Sequence, residues 1–393
     1  MSAVSSLPGP TRDHLDWPFF DERHREFVAE VDAFAKSPAM AAIDHKDVDS
    51  ACRKLVKALG NAGLLAAATG TSDSDPLIDS RLVCLARETL AWHDGLADFA
   101  FAMQGLGTGA IGLSGSPELR AAVLPKVGAG DWLSAFALSE RDAGSDVAAM
   151  SCAARTDGDH YVLDGEKTWI SNGGIADVYT VFARTGEAPG TRGISAFVVF
   201  ADDPGFSIVE RIEVIAPHPL ARLKYDNARI PADAIIGEPG EGFRIGMETL
   251  NLFRVTVGAA ALGFARRALD EALAFSSNRR LGTATLADNS VTQAKLADMA
   301  LAIDASALLI YRAAWQQDEG GVDNRRAAAM AKLQATESAQ AVIDAAVQMH
   351  GGAGVTRGVK VEELYRDIRS LRIYEGASEV QRQIIARDLL KGG

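Results

Sequence analysis

The chain has 393 residues, 48 % of them hydrophobic, and a net charge of −12. That length exceeds a single core and predicts two or three domains. The acidic balance excludes nucleic acid as a partner, because such binding draws on clustered Lys and Arg.

The opening stretch MSAVSSLPGPTRDHLDWPFF has no basic segment followed by an apolar one, so it reads as neither a secretory signal nor a processed leader. No apolar run reaches the roughly 18 residues of a membrane span. These readings predict a cytoplasmic protein with no membrane attachment. Cys52, Cys84 and Cys152 are an odd, scattered set that suits buried, reduced thiols. No histidine pair has helical spacing and none lies beside a cysteine pair, so no metal is expected.

In chain order, Phe20, Phe27, Val31 and Phe34 recur near the helical period, and Leu55, Val56 and Leu59 precede a stop signal at Asn61 to Gly63. Residues 1–130 therefore read as an N-terminal α-helical domain. Residues 131–240 change to short β-branched and aromatic segments separated by Gly, Asp and Pro, a middle antiparallel β domain. Within it, HYVL and EKTWI flank Asp164-Gly165, which reads as a tight hairpin turn. Long helical stretches return over residues 241–393, where Leu296, Met299, Ile303, Ala307 and Ile310 mark one buried stripe of a four-helix-bundle-like domain. The fold class is α+β, multidomain.

Several short motifs could carry chemistry. GLGTGA, at residues 105–110, has the glycine spacing of a dinucleotide loop, but no strand precedes it and it is not read as one. FALSERDAGSDVA runs from an apolar strand into Ser139 and then a bend with Gly144, Ser145 and Asp146. Such a bend can turn N–H groups and hydroxyls toward an anion or a polar ring edge, or be an ordinary Asp-Gly-Ser loop. In EKTWISNGG, Trp169 and Ser171 share one side of a strand by its two-residue period. Together they could stack on and hydrogen-bond to a planar cofactor, although Trp169 alone reads as a core residue. Glu375, in RIYEGASEVQRQ, is a carboxylate between an aromatic residue and a glycine, just ahead of a helix.

The segments ALSERDAGSDVA, GEKTWISNGG, GEGFRIGM, AVQMHGGAGV and YRDIRSLRIYEGASEVQRQIIAR stand in an order and spacing that resemble the acyl-CoA dehydrogenase family over essentially the whole chain. The resemblance implies an FAD enzyme that desaturates an acyl-CoA thioester to the trans-2-enoyl-CoA. Its electrons would pass to an electron-transfer flavoprotein, and its subunits would form a homotetramer or a dimer. By match, Ser139 bonds the flavin pyrimidine edge, Ser145 sits by the FAD pyrophosphate or the CoA, Trp169 covers one flavin face and Ser171 approaches N5. Helix register assigns Arg279 to the pyrophosphate, although counting back from the glycine picks Asn278 and a solvated Arg279-Arg280 pair is the alternative, and Gln348 and Gly352 reach the FAD of a neighbouring subunit. Glu375 matches the catalytic base, with its own N–H and a ribityl hydroxyl at the thioester oxygen.

Gly376 lets the chain pass close to the substrate, and Arg254 is either a substrate-positioning cation or a helix salt-bridge partner. Some members carry the base at the position held here by Phe253, which accepts no proton. Ser378 and Gln381 have the spacing of a capping box, which places a helix N-terminus beside Glu375 and lowers its pKa. Burial raises it and is the larger effect, so a base poised toward neutrality is expected.

The chain departs from the family pattern at NRRLG, one residue short, at Ser290, at Ala377, and at Ala216 and His218, the last read as a polar surface histidine in a loop. Acyl chain length stays open. So does an acyl carrier protein in place of CoA, oxygen as the acceptor, or a non-catalytic member that binds flavin or CoA.

Overall fold

A computed structural model describes residues 7, 9, 11–70, 78–320 and 323–391. Most of the first ten residues, part of the stretch read for a leader, lie outside the described set. The helices of more than one turn are α1 (Glu22–Ala35), α2 (Val48–Asn61), α3 (Ser80–His93), α4 (Gly95–Ser114), α5 (Pro117–Gly128), α6 (Gly242–Asn278), α7 (Ser290–Glu319), α8 (Arg325–His350), α9 (Lys360–Leu371) and α10 (Ser378–Leu390). Among the described residues no helix is long and apolar enough to cross a membrane. The chain divides into two compact units.

The first unit comprises residues 1–35, 80–98 and 254–393 and is helical. Its core draws Val255, Leu262 and Phe264 from α6, Met299, Ile303, Ala307 and Ile310 from α7, Ala331, Ala335 and Ile343 from α8, and Ile368 from α9. Leu296 packs at the edge of that cluster, so the apolar stripe expected on α7 is the buried one. The frequent alanines keep the helix axes close. In α1 the buried face is His24, Val28, Val31 and Phe34, with Phe27 half-buried beside it.

The second unit comprises residues 36–79 and 99–253. Asp47 caps α2 by accepting from the Ser50 N–H at 3.1 Å, and Ser116 caps α5 by accepting from Leu119 N–H at 3.2 Å. An eight-stranded sheet is built from β1 (Ser134–Ala137), β2 (Ala153–Asp157), β3 (His160–Ser171), β4 (Val178–Arg184), β5 (Ile194–Phe200), β6 (Phe206–Arg211), β7 (Leu220–Pro231) and β8 (Ile235–Ile236). Its order is β6-β7-β3-β2-β4-β5-β8, with β1 beside β4. Pairing is antiparallel except that β1 and β2 each run parallel to β4. Strands β4 and β5 are buried on both faces, which explains their near-continuous apolar sequences.

The structure corrects the expected hairpin. Asp157 pairs with His160, so the two-residue turn is Gly158-Asp159, and Asp164-Gly165 lies inside the twelve-residue β3. The register against β7 shifts between Leu163 and Gly165, and a Cβ on Gly165 would stand 2.7 Å from the Cys152 Cα. Gly165 therefore serves a bulge and a close strand approach.

GLGTGA lies within α4. A Cβ on Gly105 or Gly109 would come within 2.8 Å of the buried Phe253 ring, and one on Gly107 within 2.4 Å of Ser134 Oγ. These glycines seat a phenyl ring and a strand against the helix, which is a packing role.

Candidate active site

Glu375 lies in the connection between α9 and α10, with φ at +51°, followed by Gly376 at +89°. For a glutamate the left-handed region costs on the order of 1 kcal/mol, and such backbone persists only where the surroundings over-determine it. Three contacts do so. Lys332 of α8 donates from Nζ to the Gly376 carbonyl at 2.9 Å, and Gln381 of α10 donates from Nε2 to the same oxygen at 2.7 Å. Glu337, five residues after Lys332 on α8, accepts from Arg372 ahead of the connection and from the Ser378 hydroxyl behind it.

The capping box is thereby corrected. Ser378 is the first residue of α10, its hydroxyl is taken by Glu337, and Ala377 stands at the cap without a side-chain acceptor. Gln381 turns back to the connection and does not form the reciprocal half of a box.

The residue Glu375 is half-buried as a whole, while Oε2 of its carboxylate is buried and has no hydrogen-bond partner among the described residues. Burial pushes the carboxyl up to about 7, against the opposing pull of Arg87, Lys332 and Arg254 and with a smaller push from Asp98. A buried carboxylate oxygen without a donor is poorly stabilised as an anion and well disposed to accept a proton.

The charges around it come from separate helices. Arg87 of α3 donates from Nε to Asp98 Oδ1 at 2.8 Å and from Nη2 to Oδ2 at 3.0 Å. Its remaining Nη1 donates to Thr256 Oγ1 of α6 at 3.0 Å. This bidentate pair is buried, and burial raises the Tyr374 hydroxyl beside it. Arg254 of α6 is buried as well, and burial lowers its pKa while Glu375 opposes that change.

In the second unit, Ser139 follows β1 and is half-buried, and its carbonyl accepts from the Thr168 N–H at 3.0 Å. Trp169 therefore adjoins Ser139. It is 59 % exposed with φ at +59°, which corrects the reading of a core tryptophan. The reason is a second register shift of β3 between Lys167 and Ile170, which turns the indole outward while Ile170 stays buried. Ser171 is half-buried two residues on, and Ser145 is exposed in the bend that follows Ser139.

Beneath this surface, buried Lys167 donates to Glu140 Oε1 at 2.8 Å and to the Leu138 carbonyl at 3.1 Å. The imidazole of His218 packs at 4.6 Å from the Phe99 ring and bonds the Ala216 carbonyl through Nδ1, and burial lowers its pKa. It is not the solvated surface histidine expected.

In the first unit, Arg279 is exposed immediately after α6, where the short NRRLG segment forms a two-stranded hairpin of Arg280–Leu281 with Ala284–Thr285. Gln348 and Gly352 are exposed at and beyond the end of α8, and a Cβ on Gly352 would meet nothing within 4 Å.

The residues Arg87, Asp98, Lys332, Glu140 and Lys167 were not singled out from sequence. For Arg87, Asp98 and Lys332 the signal was there, since each is a charged residue within an apolar helical stretch, as in AAAMAKLQA around Lys332; Glu140 and Lys167 lie in polar stretches and carried none.

Residues 21–131, 135–228 and 240–390 match in turn the N-terminal, middle and C-terminal domains of acyl-CoA dehydrogenase. "Probable acyl-CoA dehydrogenase FadE25" of Mycobacterium tuberculosis is 38 % identical over 384 residues, 95 % of this chain and 98 % of that protein. "Short-chain specific acyl-CoA dehydrogenase, mitochondrial" of Homo sapiens is 38 % identical over 378 residues, 94 % of this chain and 90 % of that protein. Among solved structures, butyryl-CoA dehydrogenase from Megasphaera elsdenii matches with a TM-score of 0.87 at 30 % identity, covering 94 % of this chain and 99 % of its own. A glutaryl-CoA dehydrogenase from Mycobacterium smegmatis in complex with FADH2 matches with a TM-score of 0.85 at 29 % identity, covering 95 % and 96 %. With three domains matched in order over nearly its full length, the chain belongs to the acyl-CoA dehydrogenase family of FAD-dependent oxidoreductases.

Proposed function

We propose that this chain desaturates an acyl-CoA thioester between Cα and Cβ, with Glu375 as the base. The observation that carries this reading is the carboxylate itself, raised toward neutrality, with a buried oxygen that no donor satisfies. In the reaction the Cα–H bond breaks and its proton goes to Glu375, the electron pair becomes the Cα=Cβ bond, and a hydride leaves Cβ. FAD, when bound, supplies the acceptor for that hydride. The N–H of Glu375 would stabilise charge on the thioester oxygen, and buried Arg254 would position substrate. Gly376 keeps side-chain atoms away from the acyl group.

The residues present fit a flavin. Trp169 offers an exposed indole for its face, and the hydroxyls of Ser139 and Ser171 lie close to that residue in the chain or through the Thr168–Ser139 bond. Ser145 and Arg279 are exposed and free of burial cost for contact with phosphate, Ser145 toward FAD or CoA. Gln348 and Gly352, exposed at the end of α8, would reach the cofactor of a neighbouring subunit. On α7, Leu301, Leu308 and Trp315 are exposed at seven-residue spacing, an apolar face that supports association with further copies of this chain as a tetramer or dimer. A short acyl chain is the reading that the human and Megasphaera relatives favour. An electron-transfer flavoprotein as acceptor is supported by the likeness, with a TM-score of 0.87, to a solved structure named for an electron transferring flavoprotein of Acidaminococcus fermentans.

Anaerobic titration of the flavin-loaded protein with acyl-CoAs of graded length tests this reading. One member of the series should bleach the oxidised flavin, and Glu375→Gln should slow that bleaching by about 10²–10⁴-fold. Bleaching of the Gln variant at the wild-type rate, or of the wild type by no thioester, would overturn it.

A further inference from the structure

A buried lysine that donates to a backbone carbonyl needs a reason, because a methionine of similar length would fill the same space without loss of solvation. Lys332 is fully buried in the alanine-rich stretch of α8, and its described hydrogen bond goes to the Gly376 oxygen. That carbonyl belongs to the residue after Glu375, at the point where two consecutive residues hold positive φ. Gln381 holds the same oxygen from α10, and a Cβ on Gly376 would stand 2.5 Å from its Nε2. Glu337 clamps the two ends of the connection, whereas Lys332 and Gln381 hold its centre.

Resting on the assignment of Glu375 as base, we propose that Lys332 is its positioning residue. The ammonium anchors the Gly376 carbonyl, which keeps the carboxylate turned inward, and its charge favours the ionised form of that carboxylate. The charged groups that face Glu375 are Arg87 of α3, Asp98 of α4, Arg254 of α6 and Lys332 of α8, with the Tyr374 hydroxyl on its own segment. Asp98 is committed to Arg87 through two hydrogen bonds. The charges that face Lys332 are Glu375, Arg254, Glu337 and Glu379, and Glu337 is already bonded to Arg372 and Ser378. Burial lowers the Lys332 ammonium to about 8, which still leaves it charged at neutral pH. Anchoring and charge are separable functions, and substitutions separate them.

The test compares wild type with Lys332→Met, Lys332→Gln, Lys332→Arg and Glu375→Gln, all flavin-loaded. Infrared difference spectra over about pH 5 to 9 follow the carboxyl band that is lost in Glu375→Gln, which reads the titration of the base without turnover. In Lys332→Met and Lys332→Gln the band should titrate higher by about one unit, the lower end of the shift from losing an opposite charge. In Lys332→Arg it should stay within about 0.3 units of wild type, because the charge is kept. The acidic limb of flavin reduction by substrate should move with the band, a loss of about tenfold in rate below it per unit. The Gln variant keeps a hydrogen-bond donor and serves where the Met variant does not fold.

An unmoved band and limb in both neutral variants would overturn the role of Lys332 while leaving the base in place. Flavin reduction by Glu375→Gln at the wild-type rate would instead overturn the base assignment on which it rests.

Discussion

Lys167 Nζ lies 2.8 Å from Glu140 Oε1, and both side chains are buried. Glu140 also accepts from Ser151 N–H at 2.6 Å, Ser151 Oγ at 2.8 Å and Cys152 N–H at 2.9 Å, so its carboxylate is saturated with donors. The pair joins the segment that carries Ser139 to the strand that carries Trp169 and Ser171. Removing one partner leaves a buried charge uncompensated, which costs about 3–5 kcal/mol. Lys167→Met should lose stability of that order in urea unfolding, and a loss under about 1 kcal/mol would show that water replaces the ammonium. Burial works to raise the Glu140 carboxyl, but Lys167 and the amides win and hold it below its ordinary 4.5. Its contribution is therefore present above that value and is lost as pH falls through the depressed folded pKa.

Gly376→Ala should lose both fold stability and base function. The position has φ +89°, and the new methyl would press on Gln381 Nε2, one of the two donors to the Gly376 oxygen. The strain of such a backbone is about 1–3 kcal/mol. Thermal unfolding should register that loss, and substrate-driven flavin reduction should slow more than flavin binding weakens. Equal losses in the two would place the damage outside the connection.

The parts of the molecule that were legible in the sequence are those where neighbours in the chain decide the outcome. Met299, Ile303, Ala307 and Ile310 share a helical face whatever packs on it, and they are buried. The hairpin turn was misplaced because Gly158-Asp159 and Asp164-Gly165 offer the same turn chemistry six residues apart. The choice between them is made by strand register, with Gly165 needed against Cys152. Trp169 misled for a related reason: alternation along a strand holds until a bulge, and the bulge depends on pairing with β7. The anchor from Lys332 to Gly376 spans 44 residues and exists only once α8 packs beside the connection. Ser378 looked like a cap because Glu337, which takes its hydroxyl, is equally remote in sequence.

Trp169→Ala should separate cofactor binding from folding. The indole is 59 % exposed, so its loss should change the stability of the flavin-free protein by no more than about 0.5 kcal/mol, as for other surface positions. If the ring stacks on the isoalloxazine, about 0.5–1.5 kcal/mol of that contact is lost, or about two- to tenfold in FAD affinity. Equilibrium dialysis of the cofactor reads the difference directly. Unchanged affinity would remove Trp169 from the flavin site.

The raised Glu375 carboxyl makes a prediction about stability that no substrate is needed to test. Its pKa in the folded state, about 7, lies above the ordinary 4.5, so the folded protein binds the proton more tightly than the unfolded chain does. An acid shifted in this direction contributes stability below its unfolded pKa. That contribution is lost as pH rises through the folded one. Wild-type stability should therefore decline between about pH 4.5 and 7 from this group, whereas Glu375→Gln, neutral throughout, should not share the decline. Because the residue is half-buried, solvent screening reduces the gain to about 1 kcal/mol, which in domains of 150–250 residues moves Tm by about 2–4 °C. The Gln variant should melt that much higher than wild type at pH 8 and at the same temperature near pH 4.5, measured on flavin-free protein so that cofactor binding does not enter. A Gln variant less stable than wild type at pH 8 would mean that Arg254 and Lys332 hold the carboxylate as a structural anion. In that case the buried oxygen of Glu375 would be serving the fold and would not be waiting for a proton.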